Sequence, residues 1–143
     1  MGKYHPLDAA APAAEKGGVI MIATTIEQSK HLLELGLDPK TADMYYLPQV
    51  MNEGETLWPI DKGYDLDDAD QPAWSLSALL EVIPKECEPD IQKSPISGVY
   101  FAHCFANGKP YITDDHGNAV CAAYEIVCWL LEQGLIKKGG QDD

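Results

Sequence analysis

Two histidines, a cysteine and two aspartates fall within a short span of the chain: His103, Cys104, Asp114, Asp115 and His116. These are side chains from which a transition-metal site or an acid–base pair is built, with imidazole and thiolate as ligands or proton carriers and carboxylates as orienting partners. The spacing argues against one centre. His103 and Cys104 are neighbours in a strand-like run, so they leave opposite faces of the strand and at most one can meet His116. Asp114 and Asp115 sit where a helix start uses N-cap carboxylates, which accounts for them without a metal. No nucleophile–base pairing is legible in this spacing. The expectation is no catalytic residue, no metal and no cofactor, with a hydrolase or metal enzyme using His103 or His116 as an alternative.

The acidic run Asp65, Asp67, Asp68 and Asp70 invites a calcium reading. Counted from Asp65, an EF-hand loop needs glycine at position six and glutamate at position twelve, where this chain has Asp70 and Leu76. The pattern fails, and a solvated acidic loop explains the run. No phosphate-binding loop, dinucleotide fingerprint, HExxH or GxSxG is present. The aromatic residues offer more. Tyr45 and Tyr46 are adjacent on a predicted strand, so one faces the core and the other faces out. Trp58 lies on the return strand beside the acidic loop. Half-exposed aromatics often anchor partners, which makes Tyr45, Tyr46 and Trp58, with Asp65, Asp67 and Asp68, the candidate partner-binding set. Trp74 and Trp129 fit core packing by periodicity, although the Trp129 ring can border a polar stripe of its helix.

Composition narrows the class. The chain has 143 residues and 45% hydrophobic content, enough for one domain with a real core. Its net charge of −13 opposes direct binding to nucleic acid backbones or anionic lipid. A DNA mimic would use the same sign of charge, and its carboxylates would form regular rows. Residues 52–70 carry seven acidic residues against one lysine. The four cysteines, Cys87, Cys104, Cys121 and Cys128, form no CxxC pair and read as reduced thiols of a cytoplasmic protein. Neither a membrane span nor a secretory signal is legible.

The elements that would position these groups follow from local signals. Residues 1–18 are rich in alanine, proline and glycine and read as a flexible leader. Residues 19–23 fit a short strand or a lead-in to the first helix. Thr24 and Glu27 make a capping box for a helix over 25–35, and Gly36 stops it. One further helical turn is expected at 40–43. Residues 44–51 and 56–60 predict a hairpin, with Pro48 near a sheet edge, and 61–72 an acidic loop. Leu76, Leu79, Leu80 and Ile83 form one helical stripe between an N-cap at Ser75 and a stop at Pro84. Residues 85–97 read as loop. Strands over 98–105 and 109–113 flank Asn107-Gly108, a type I′ hairpin turn that sets His103 opposite Ile112 and Cys104 opposite Tyr111. A last helix over 119–133 is apolar except at Asn118, Glu125 and Glu132, which predicts a central buried helix with one narrow polar stripe. LLELGL at 32–37 and LLEQGL at 130–135 end two helices by the same glycine device, with Leu37 and Leu135 folding back onto them. Lys137 and Lys138 then sit near the negative helix end.

The expected fold is α+β: three helices packed on antiparallel hairpins, one domain over 19–138 around a central C-terminal helix, with a flexible tail at 139–143. TIEQSKHLLELGLDPKTADMYY (25–46), PAWSLSALLEVIP (72–84) and AYEIVCWLLEQGLI (123–136) resemble small proteins of gut Bacteroidales, their prophages and other mobile elements. That resemblance implies a bacterial, cytoplasmic setting and transfers no activity or site residue. The functional expectation is a non-enzymatic accessory protein that binds another protein. The alternative to it, besides the enzyme built on His103 or His116, is a nucleotide-like ligand binder, for which only ten Lys and Arg residues are available.

Overall fold

Thr25 starts the first helix by a reciprocal exchange. Its hydroxyl accepts from the Gln28 amide at 3.0 Å while the Gln28 side chain accepts from the Thr25 amide at 3.0 Å. The structure, a computed structural model, describes residues 21–46, 57–60 and 70–138. The expectations for the leader, the tail and Asp65, Asp67 and Asp68 lie outside the described residues. The capping pair is Thr25 and Gln28 rather than Thr24 and Glu27, because Thr24 is withdrawn into the core. It is wholly buried, its amide donates to the Trp74 carbonyl at 2.9 Å, and its hydroxyl accepts from the Trp74 amide at 3.0 Å. The Ser29 hydroxyl lies 2.7 Å from it. A buried hydroxyl with two partners costs far less than one facing apolar surroundings. Packing beside Trp74 therefore decided which threonine caps.

The helix, α1 (Ile26–Glu34), is followed by a 3-10 turn at Pro39–Thr41, slightly ahead of the expected turn at 40–43. Strand β1 (Met44–Tyr46) pairs antiparallel with β2 (Leu57–Pro59) on one side and β3 (Gln71–Ala73) on the other. Helix α2 (Leu76–Val82) begins at Ser75, which caps Ala78 at 3.2 Å. The Asp43 carboxylate in turn holds both the amide and the hydroxyl of Ser75. A 3-10 turn at Lys85–Cys87 leads to β4 (Asp90–Lys93), then β5 (Tyr100–Ala106), β6 (Lys109–Ile112) and α3 (Ala119–Glu132).

The described residues form a single compact α+β domain with two three-stranded antiparallel sheets, ordered β2-β1-β3 and β4-β5-β6. Two strands correct the sequence reading. β3 lies at the end of the expected acidic loop, and β4 lies within the expected 85–97 loop. Both are edge strands of three or four residues with one side open, so neither shows the alternation that marks a longer strand. The hairpin register is the expected one, with His103 opposite Ile112, Cys104 opposite Tyr111 and Ala106 opposite Lys109.

α3 is the central helix, packed against α2 and β5. Val120, Ala122, Ala123, Ile126, Val127, Leu130 and Leu131 are buried along it, and its N-cap Asn118 accepts from the Cys121 amide at 2.8 Å. Both leucine–glycine stops close as expected. Gly36 donates to the Leu33 carbonyl and Leu37 to that of Leu32, while Gly134 and Leu135 repeat the pattern onto Leu131 and Leu130. Each glycine has positive φ, +104° and +75°, the conformation this double hydrogen bond requires. All four cysteines are free thiols. Among the described residues no helix is long and apolar enough to cross a membrane.

Candidate functional site: an open sheet face

Alternation along β5 divides the β4-β5-β6 sheet into two chemically distinct faces. Tyr100, Ala102, Cys104 and Ala106 share the inner face with Ile91 of β4 and Tyr111 of β6, and all of these contribute to the core around α3. Phe101, His103 and Phe105 share the outer face. The pairing adds Asp90 and Gln92 from β4, and Pro110 and Ile112 from β6. Ile112 is 64% exposed and Phe105 41%. The helix α3 and the 3-10 turn at Lys85–Cys87, which pack against this sheet, meet it through the core residues of its inner face.

A polar trio sits on one flank of this face. His103 Nε2 lies 3.1 Å from Asp90 Oδ2, and the Gln92 amide donates to the same oxygen at 2.9 Å. The Gln92 bond first, and His103 after it, hold the Asp90 carboxyl below the usual carboxylate range. The His103 ring meets Phe105 edge-on at 6.3 Å. The outer face is thus an apolar strip of Phe105, Pro110 and Ile112 beside an anchored carboxylate–imidazole pair.

A second cluster lies at the inner margin, where β6 passes over α3. The Tyr111 hydroxyl donates to Glu125 Oε2 at 2.7 Å, and His116 Nε2 meets Glu125 Oε1 at 2.7 Å. The Asp114 amide donates to Oε1 as well, at 3.3 Å. The Tyr111 ring stacks on Trp129 at 4.3 Å with only 6° between planes. His116 is placed by backbone pairing with Tyr100, each amide donating to the other's carbonyl at 2.7 Å. Burial alone would raise the Glu125 pKa, but the bonds from Tyr111, His116 and the Asp114 amide overcome it and hold the carboxyl below its ordinary value. Burial, reinforced by Glu125, pushes the Tyr111 phenol well above its own. Glu125 is therefore an ionised acceptor that ties the β6–α3 turn to the helix. The polar stripe of the last helix is not a free face: Asn118 caps the helix, Glu125 is engaged, and Glu132 is exposed.

The five chemistry-bearing residues of the sequence are accordingly dispersed. His103 is on the outer face, Cys104 is fully buried on the inner one, Asp114 and Asp115 are exposed on the turn, and His116 is bound to Glu125. Burial raises the Cys104 thiol to about 11, too high for a ready nucleophile. Among the described residues no group of three or more His, Cys, Asp or Glu could hold a metal ion.

The aromatic hairpin also sorts differently from a Tyr46–Trp58 pair. Tyr45 lies opposite Trp58 on one side and Pro72 on the other, whereas Tyr46 faces Leu57 and Gln71. Tyr46 is half-buried, and its hydroxyl donates to the Thr24 carbonyl at 2.9 Å. Tyr45 is buried and Trp58 is 44% exposed. Tyr45 and Trp58 thus share a face that Tyr46 does not. A cavity of about 690 Å³ opens between the ends of α1, α2 and the segment after α3, against Leu37, Ala78, Val82 and Ile136. Polar groups at its rim already serve the fold: Asp43 caps Ser75, and Thr41 accepts from the Trp74 indole at 2.8 Å.

Sequence reasoning missed Asp90, Gln92, Phe105 and Ile112. The signal for two of them was available, since the Asn107-Gly108 turn puts Phe105 and Ile112 on the same side as His103. Comparison with known protein families, with curated proteins and with solved structures returns no match.

Proposed function

We propose that this chain is a non-enzymatic accessory protein that acts by binding another protein, and that the outer face of β4-β5-β6 is its contact surface. The reading is carried by one observation: Ile112 and Phe105 lie exposed together on the sheet side opposite the core packed on α3. A single exposed apolar residue is ordinary, but several on one face commonly mark a contact site. The bacterial mobile-element setting rests on the resemblance of the helical segments and goes with this reading.

The test is affinity capture with the wild-type chain and a Phe105→Ser/Ile112→Ser variant that keeps the wild-type unfolding midpoint. The expected result is a discrete protein retained by the wild type and lost by the variant. Equal capture by both, or none by either, sinks the reading. A second reading, acid–base chemistry at His116, draws on its 2.7 Å contact with Glu125. With the Nε2 proton donated to the carboxylate, Nδ1 would be the free lone pair that accepts a proton from a substrate. It predicts turnover of an ester or phosphoester that His116→Ala abolishes.

A further inference from the structure

We infer that the outer face of β4-β5-β6 docks a basic protein surface, an apolar patch bordered by lysine or arginine. The inference rests on the proposed protein-binding role and adds the partner's chemistry. Acidic groups flank the apolar strip at both edges of the sheet. Exposed Glu88 and Asp90 lie just before and at the start of β4, and exposed Asp114 and Asp115 follow β6 after the buried Thr113. The two lysines of the sheet lie away from the strip. Lys93 is on the inner register, its ammonium 5.5 Å from the Tyr100 ring, and Lys109 lies at the far, hairpin end of β6 opposite Ala106.

With a net charge of −13 on the chain, a second copy brings like charge to the same rim, and a nucleic acid brings phosphate. A cationic protein surface is the occupant that gains on both counts. Its apolar centre covers Phe105, Pro110 and Ile112, and its Lys or Arg side chains meet the flanking carboxylates. Rim charges of this kind act mainly on the rate and selectivity of association, and salt screens them over about 10 Å.

The test is an NMR titration of the full chain with two synthetic amphipathic peptides of identical apolar residues, one with lysine at its polar positions and one with glutamine. The lysine peptide is expected to shift the amides of Asp90, His103, Phe105 and Ile112, and to weaken about fivefold between about 50 and 300 mM salt. Phe105→Ser/Ile112→Ser, which leaves net charge unchanged, should weaken it by a similar factor. Asp114→Asn/Asp115→Asn should weaken it less and flatten the salt dependence. Shifts centred elsewhere, tight binding to the serine variant, or no shift with either peptide overturns the inference. Equal binding of the glutamine peptide also overturns it, while leaving the protein-binding reading intact. That reading fails separately, through equal capture by wild type and variant. Dimerisation through this face, seen by sedimentation and abolished by the serine pair, also defeats the inference.

Discussion

Replacing Glu125 with alanine removes one carboxylate that three donors share. Two of those hydrogen bonds are short, from the Tyr111 hydroxyl and His116 Nε2, each at 2.7 Å, and the third is the long Asp114 amide contact at 3.3 Å. A buried hydrogen bond to a charged group contributes about 1.5–3 kcal/mol. The Glu125 side chain is 25% exposed and that of His116 26%, so water recovers part of each loss. The expected cost is about 2–3 kcal/mol for the set. In urea this lowers the midpoint by roughly 1–2 M at unchanged slope.

The pH dependence has a definite sign. The folded Glu125 pKa lies below the ordinary 4.5, so its contribution is complete above the unfolded value and is lost as pH falls through the folded one. The gap between wild type and Glu125→Ala should therefore be full at about pH 7 and narrow markedly near pH 3. Tyr111→Phe, which keeps the ring for stacking on Trp129, should lose only about 1 kcal/mol. A loss below about 1 kcal/mol for Glu125→Ala at neutral pH, or a gap that does not narrow in acid, refutes the assignment of Glu125 as an ionised tie.

Thr24→Val keeps the side-chain volume but strips the hydroxyl that the Trp74 amide and Ser29 share, and equilibrium unfolding should show a loss of about 2–3 kcal/mol. Gly134→Ala places a Cβ in open space at φ +75° and should cost about 1 kcal/mol. Gly36→Ala should cost more on the same denaturation assay, since its φ is +104° and the added Cβ falls 2.8 Å from Lys138 Cδ. Burial raises the Cys104 thiol to about 11; thiol labelling at mildly alkaline pH should reach it only at the rate of native-state opening, and fast labelling contradicts its placement.

How much of this was legible depended on whether an element carries its own pattern. α3 was legible because its polar positions recur every seven residues, and the β5–β6 register because a two-residue Asn-Gly loop leaves little freedom. The two glycine stops were legible because each signal lies within six residues. β3 and β4 were not, since Gln71–Ala73 and Asp90–Lys93 exist only through pairing with β1 and β5. The choice between Thr24 and Thr25 as cap depended on Trp74, fifty residues away along the chain. The Tyr111–Glu125–His116 tie was hidden for the same reason. Its members come from a strand, a turn and a helix, and no periodicity joins them. The outer sheet face was half visible: the hairpin register aligned His103, Phe105 and Ile112, but Asp90 and Gln92 came with an edge strand that the sequence did not announce.

The position of Pro110 bears on whether a partner meets this sheet on its face or along its edge. Ala106 and Lys109 close the two-residue hairpin as a hydrogen-bonded pair, so Phe105 and Pro110 form the next, non-hydrogen-bonded pair. At such a position the strand's amide direction points away from its neighbour, here toward the open side of β6. Proline has no N–H to offer there, which leaves the edge without a donor that an incoming strand would need. The face, with Ile112 and Phe105, carries no such guard. Pro110→Thr should restore that donor without disturbing the β5 ladder, and it should produce concentration-dependent association in sedimentation, measured against the wild type at equal protein concentration. Association that Phe105→Ser/Ile112→Ser leaves unchanged would place the new contact on the edge, separate from the face. If Pro110→Thr sediments as the wild type does, the proline is not what protects β6, and edge pairing becomes as available to a partner as the face.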